Sequence, residues 1–388
     1  MIIPNNRIKY QPLFEIFELL YTAFSFFCLK PLFQKCIMGL VNQMEKELWQ
    51  YLKTAQKPIV LYGMGNGADK IINVLEQKGI PFKGVFASDG FVRDKTFHGF
   101  KISSYNDLLE KFSDMIVLLC FGSERPEVLE NIKRIALEQE LYAPEVPVIG
   151  GGLFDGEYYA THEKEFEEIY GLLADERSKK TFSDIINYKL SGKIDYLFDC
   201  EVSKDEPYES FLSLSENETF MDLGAYTGDT VSFFLERVSG YNKIIAVEPD
   251  QKSFRKLKAN TENISRIRTE NVAVSRDCGI MPFSMKGGRN SSAFRGESFV
   301  EFKNIDSLCE DECITYIKMD LEGEEENAIL GGKNTILKYK PKMSVSAYHR
   351  TDDFLRLPKA VFNIRSDYKL YLRHFKSLPA WDTNFYFI

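Results

Sequence analysis

Two stretches of this chain carry side chains in an order that can do chemistry. The first is Asp222, Gly224, Ala225, Tyr226, Thr227, Gly228 and Asp229, set between an apolar run at 220–223 and a helical pattern at 230–238. Strand, glycine turn and helix in this order present a loop to a ligand at the edge of a parallel sheet. The glycines are spaced G-x-x-x-G. A dinucleotide turn needs a glycine where Tyr226 stands, so that a pyrophosphate can approach the backbone. Asp222, ahead of the turn, repels phosphate and attracts an ammonium group. Glu248, followed by Pro249 and Asp250, ends the next apolar run about 20 residues on, where a carboxylate can accept two hydrogen bonds from a ribose diol. The pattern describes a ligand with a cationic end, a free ribose and no phosphate.

The second stretch surrounds Lys318, Asp320 and Glu322. Their alternation places them on one face of a strand end. A long helix is expected over 323–339, and its N-terminal dipole would stabilise both carboxylates. Glu324, Glu325 and Glu326 read as acids that merely favour that helix start. His349 ends the following apolar run at the same edge, in a chain with only four histidines. Asp320, Glu322 and His349 are therefore the candidate catalytic residues, a carboxylate or an imidazole being what takes a proton from an attacking group. The same three could hold a divalent cation, but no metal is expected. His374, beside Arg373, is a weaker candidate for substrate contact. His98 and His162 fall in expected loops and carry no signal. Ser291 and Ser292, after Gly287 and Gly288, read as a hairpin tip before a substrate loop.

These residues are recognisable as a set. Asp222–Asp229, 247–250, Asn271 and Ala273, 304–308 and the I-K-x-D-x-E-G-x-E run at 317–325 resemble the FkbM family of methyltransferases, over about 220–388. The resemblance implies the seven-stranded sheet of the class I methyltransferases. It also implies S-adenosyl-L-methionine as cofactor, with Asn271 and Ala273 beside it, and methylation of a hydroxyl on a sugar, glycan or related metabolite. The cofactor supplies the electrophile, so the protein must align the acceptor and take its proton.

A further glycine turn lies upstream. Gly63, Gly65, Asn66, Gly67 and Ala68 fit G-x-G-x-x-A between a short apolar run and a helix, with Asp89 about 20 residues on. Residues 58–152 loosely resemble the nucleotide-binding domain of sugar acyltransferases. This turn either takes a dinucleotide or nucleotide-sugar, or belongs to a Rossmann-like scaffold.

Strand and helix patterns alternate through both halves, which predicts parallel sheets. The expected fold is α/β with two doubly wound, Rossmann-like domains: a helical arm at 1–52, a nucleotide-binding-type domain at 53–155, a helical linker or cap at 156–215, and the methyltransferase domain at 216–388. Its last two strands read as an antiparallel edge pair. The apolar run at 13–29 has helical spacing but is interrupted by Glu15 and Glu18. It is short for a membrane span and reads first as a docking or dimerisation helix, then as a membrane-surface helix. A net charge of -8 argues against a broad nucleic-acid surface. Seven irregularly spaced cysteines fit neither a disulfide framework nor a zinc site and point to a reducing cytoplasm. Two other functions remain open from sequence: an NAD-dependent oxidoreductase or nucleotide-sugar-binding protein using the first glycine turn, and a non-enzymatic partner with vestigial sites.

Overall fold

The computed structural model describes residues 46–88, 95–150, 152–283 and 298–388. The run at 13–29, Asp89, and Gly287 to Ser292 lie outside them. The first lobe is built on β1 (Ile59–Tyr62), β2 (Gly84–Phe86), β3 (Thr96–Phe97), β4 (Phe100–Ser103), β5 (Ile116–Leu119) and β6 (Glu140–Tyr142). Their order in the sheet is β3-β4-β2-β1-β5-β6. β1 is apolar at every position and buried at every position, as a central parallel strand covered on both faces must be. The helix Asn66–Lys78 follows it, buries Ala68, Ile71, Ile72 and Leu75, and stops at Gly79 in the left-handed region. Leu48, Trp49 and Leu52, from the short helix Leu48–Thr54, complete this core. The sequence pattern missed the short strands β3, β4 and β6; the helix Pro126–Glu138 ends one residue before β6.

The second lobe holds β7 (Glu201–Val202), β8 (Thr219–Leu223), β9 (Lys243–Val247), β10 (Ile267–Glu270), β11 (Ala273–Val274), β12 (Gly279–Phe283), β13 (Ser298–Lys303), β14 (Tyr316–Met319), β15 (Lys342–Ser346), β16 (Leu370–Phe375) and β17 (Thr383–Phe387). The main sheet runs β10-β9-β8-β14-β15-β17-β16-β7, and β11, β13 and β12 form a small side sheet. β17 is antiparallel to both neighbours. The last two strands are thus not the edge: β7, contributed by the linker, pairs with β16 outside them. The expected helix at 323–339 is two, Glu325–Gly331 and Lys333–Tyr339. The break falls where a side chain at Gly331 would meet the Ser275 carbonyl at 2.6 Å.

The linker is not a free bridge. Its helix Gly156–Leu172 packs on the helix Asp353–Ile364, and its helix Glu176–Ser191 lies against β16, with Phe182 on Phe354 and the Ser178 hydroxyl accepting from Leu372 N. His162 sits inside the first of these helices, not in a loop. Arg373, fully buried on β16, is the clamp: its Nε donates to Glu206 (2.6 Å) and its Nη2 to Asp175 (2.7 Å). Both lobes lie in one compact body, 45–388. Among the described residues no helix is long and apolar enough to cross a membrane.

Removing one partner of a buried ion pair strands the others. Arg373→Met is therefore expected to cost about 3 kcal/mol, read as a lowered urea midpoint. A midpoint equal to that of the unmodified chain would show that the clamp carries no stability.

Candidate functional site

β8 and β14 are paired in register, Asp222 opposite Lys318. Asp222 is fully buried, and Lys318 Nζ stands 3.3 Å from its Oδ1. Neither Asp222 oxygen accepts a hydrogen bond. Burial pushes the Asp222 carboxyl up, against the pull of Lys318. Desolvation works against the charge on Lys318, but Asp222, Asp320 and Asp229 outweigh it and hold the ammonium above its ordinary range. Asp222 thus lies beneath the glycine turn as a source of negative potential, not as a surface partner for a ligand's ammonium group. Lys318 lies within the strand, whereas Asp320 and Glu322 follow it. The strand stops at Met319, and Lys318 turns under the glycine loop, donating to the Gly224 carbonyl at 3.0 Å.

The turn itself is over-determined. Gly224 (φ +80°) has to be glycine, because a Cβ there would sit 1.9 Å from the Asp320 carbonyl oxygen. Gly224 N and Ala225 N both donate to the Val247 carbonyl. Tyr226 is 58% exposed and held at φ +48°, a region that costs a side chain about 1 kcal/mol or more. Its N–H donates to Glu248 Oε2 at 2.9 Å, and Asp250 N donates to Oε1 at 2.8 Å. Thr227 is held by Asn260, which donates to its carbonyl, and Gly228 leads into the helix Asp229–Leu235, with Asp229 exposed in its first turn. Glu248 is only 7% exposed, and burial raises its carboxyl to about 7. Asp250 caps the helix Gln251–Asn260 through Ser253 N. Asn271 donates to the carbonyls of Glu248 and Pro249, so it braces this turn, and Ala273 is buried in the side sheet.

Next to the turn, the ends of β14 and β15 form a recess of acids around one imidazole. His349 is fully buried. Its Nδ1 lies 2.9 Å from Glu325 Oε1; its Nε2 lies 3.4 Å from Asp320 Oδ1 and 3.7 Å from Glu322 Oε2. Desolvation opposes a charge on this ring, but Glu325, Asp320 and Glu322 together raise it to about 9. At neutral pH it carries its proton, so in this state His349 is not the base that the sequence suggested. Glu325 was dismissed from sequence as a helix-start acid. It is fully buried, its Oε1 accepts from Leu321 N (2.7 Å), and it is the nearest partner of His349. The last position of the 317–325 signature was the available signal. Asp320 is 35% exposed and accepts from the Tyr348 hydroxyl at 3.2 Å; Glu322, at φ +52°, is 59% exposed. Asp320, Glu325 and His349 bring one ligand atom each within 4.8 Å of one another. Glu325 already serves a backbone N–H and a charged ring, which fits an ion-pair network better than a cation site.

The first glycine turn faces this region from the other lobe. Gly63 (φ +110°) is covered by the Phe121 ring, and Gly65 (φ +98°) and Asn66 are exposed. A Cβ on Gly67 would meet the Cys120 carbonyl at 2.3 Å, so this glycine serves close packing of helix on strand. The loops that follow β5 and β6 meet those that follow β15 and β16: Ser123 pairs with Leu378, and Ile149 N donates to the His349 carbonyl at 2.9 Å. The edges of both sheets that carry the glycine turns therefore confront one another. His374 stands apart: it is buried against the Thr383 hydroxyl, and desolvation lowers it to about 4, so it is a neutral structural residue rather than a substrate contact.

Comparison with known proteins agrees with this arrangement. Residues 222–369 match the family described as Methyltransferase FkbM domain, so the C-terminal half carries such a domain. The chain is 25% identical over 158 residues to 2-O-methyltransferase NoeI of Sinorhizobium fredii (strain NBRC 101917 / NGR234), a stretch covering 34% of this chain and 65% of that protein, just under two thirds of its length. The crystal structure of Methyltransferase FkbM from Methylobacillus flagellatus KT superposes with a TM-score of 0.67 at 23% identity, covering 86% of this chain and 90% of that one. That likeness extends the shared fold beyond the C-terminal half.

His349 gives a direct test. A ring raised from 6.5 to about 9 adds stability that is complete below pH 6.5 and is lost as pH rises through about 9. His349→Gln should therefore be most destabilising, relative to the unmodified chain, at pH 6 and progressively less so towards pH 9. A deficit independent of pH would contradict the charged network.

Proposed function

We propose that this domain is an S-adenosyl-L-methionine-dependent methyltransferase that methylates a hydroxyl of a sugar, glycan or related small metabolite. The observation that carries the reading is Glu248. A nearly buried carboxylate ends the strand beside a glycine turn, where it can accept from a ribose diol. The charges around it suit the rest of the cofactor. Asp222 lies beneath the turn, paired with Lys318 but accepting no hydrogen bond, and Asp320, Glu322 and Glu325 stand beyond it. This surplus of carboxylates repels phosphate and favours a sulfonium and an ammonium group. The 2-O-methyltransferase name of the NoeI relative supports a hydroxyl acceptor.

Glu248 would hold the ribose, with the backbone of 224–228 around the amino-acid end. When bound, the cofactor supplies a methyl group already activated for transfer. The chain's task is then to orient an acceptor hydroxyl and take its proton. Asp320 and Glu322 present the accessible oxygens for that role. His349, held by Glu325, sets one ring nitrogen beside both carboxylates, 3.4 Å from Asp320 and 3.7 Å from Glu322, and so fixes where their oxygens lie. The redox reading, which places its cofactor at the first glycine turn, gives Glu248 no ligand to hold.

Calorimetric titration of the full chain tests this. S-adenosyl-L-methionine should bind saturably, and Glu248→Gln should weaken binding about tenfold or more, the worth of a charge-assisted hydrogen bond. Because the Glu248 carboxyl sits at about 7 and must be ionised to accept, affinity should fall as pH drops from 8 to 6 in the unmodified chain and stay flat in the variant. No binding of this cofactor, with tight binding of NAD instead, would overturn the proposal.

A further inference from the structure

We propose that Lys70, in the N-terminal lobe, is a positioning residue for the methyltransferase site, acting through residues 147–149 on His349. The inference rests on reading that site as the methyl-transfer centre. Lys70 lies one turn into the helix Asn66–Lys78, which the first glycine turn opens. Gly67 lets that helix lie directly against the Cys120 carbonyl, which fixes where the Lys70 stem can reach. Its ammonium is half-buried and donates to two backbone carbonyls, Pro147 at 3.0 Å and Val148 at 2.6 Å. The very next N–H, that of Ile149, donates to the His349 carbonyl. Beyond it, Gly150 faces Arg350, and the Thr351 hydroxyl donates to the Gly152 carbonyl at 3.1 Å. Lys70 thus pins one end of a segment whose other end is laced to residues 349–351.

Packing alone does not call for an ammonium here. Desolvation lowers the Lys70 ammonium below its ordinary range, with Glu322 the carboxylate that supports its charge. A methionine would fill the same path without that cost. Glu322 is also one of the acids around His349, but the Lys70 charge by itself opposes a charge on that ring, so the support Lys70 gives His349 is the mechanical one, through Ile149. The other groups facing His349 are Asp320 from the same loop, Glu325 and Asp353 from two helices, and Tyr348 beside it. Through Lys70 the first glycine turn acquires a role in the second lobe's chemistry that requires no nucleotide of its own.

The test uses the full chain with Lys70→Met, Lys70→Gln and Lys70→Arg. The readouts are the titration of the His349 ring by NMR, assigned with His349→Gln, and the affinity for S-adenosyl-L-methionine. In Lys70→Met the 147–149 segment is released, water enters and the carboxylates are screened. The His349 midpoint should then fall from about 9 towards 6.5 by about one unit or more. Lys70→Gln, the milder variant, keeps an uncharged amide donor group on a shorter stem and should move it by about half as much. Lys70→Arg, which keeps charge and reach, should leave it within about 0.3 unit. Cofactor affinity should change less than about twofold throughout, since Glu248 lies outside this path. An unmoved His349 midpoint in both Lys70→Met and Lys70→Gln, or a Lys70→Arg shift as large as that of Lys70→Met, would overturn the inference. Absence of cofactor binding by the unmodified chain would instead overturn the methyltransferase reading, and the coupling of Lys70 to His349 could still be measured.

Discussion

The site depends on one backbone junction. Asp320 N donates to the Leu223 carbonyl, and the Asp320 carbonyl lies where a side chain on Gly224 would have to go. The chain leaving β8 and the chain leaving β14 are therefore locked together within a few atoms. One becomes the glycine turn beside Glu248; the other becomes the loop that carries Asp320 and Glu322. Their separation is set by close packing of backbone on backbone, not by flexible side chains. Lys318 crosses beneath the junction, tying Asp222 on one strand to the Gly224 carbonyl. Groups that hold a ligand and groups that act on it can then be placed reproducibly, as transfer chemistry requires.

Charge is arranged around that junction with the same economy. Carboxylates lie at the ends of β8 and β9 and follow β14; of the positive charges among them, His349 is buried and Lys318 half-buried. Each cation is held by acids more than it is exposed to solvent. The open surface left over is acidic and hydrogen-bonding. Two side chains kept at positive φ, Tyr226 and Glu322, sit on the two loops that border it. Such strain persists only where the surroundings impose it; at Tyr226 the N–H is held by Glu248.

What could be read from the sequence follows from this physics. Glycine turns and strand-ending acids are punctuation: Gly224, Gly228 and Glu248 announce themselves because no other residue types suit those backbone positions or that edge. The pairing of chain segments is less visible. Glu325 looked like any acid at a helix start, because its burial depends on His349 arriving from a strand 24 residues away. Lys318, Asp320 and Glu322 were set on one strand-end face because alternation was carried past Met319, where the strand in fact ends. Asp222 was correctly placed at the turn but not in depth, since a carboxylate before a glycine turn can face out or in. The edge strand β7 is two residues long, too short to leave a pattern. The meeting of the two lobes had no local signature at all; it is a property of Ile149, Ser123 and Leu378 coming together across the chain.

The proposed function puts one cofactor across the junction between Glu248 and the acid–imidazole recess. Its most direct test is a crystal structure of the full chain with S-adenosylhomocysteine. The expected result is a ribose diol on the Glu248 carboxylate, with the sulfur directed towards the recess formed by Asp320, Glu322 and His349. Electron density for the ligand at the Gly63–Ala68 turn instead, or a ribose away from Glu248, would contradict it.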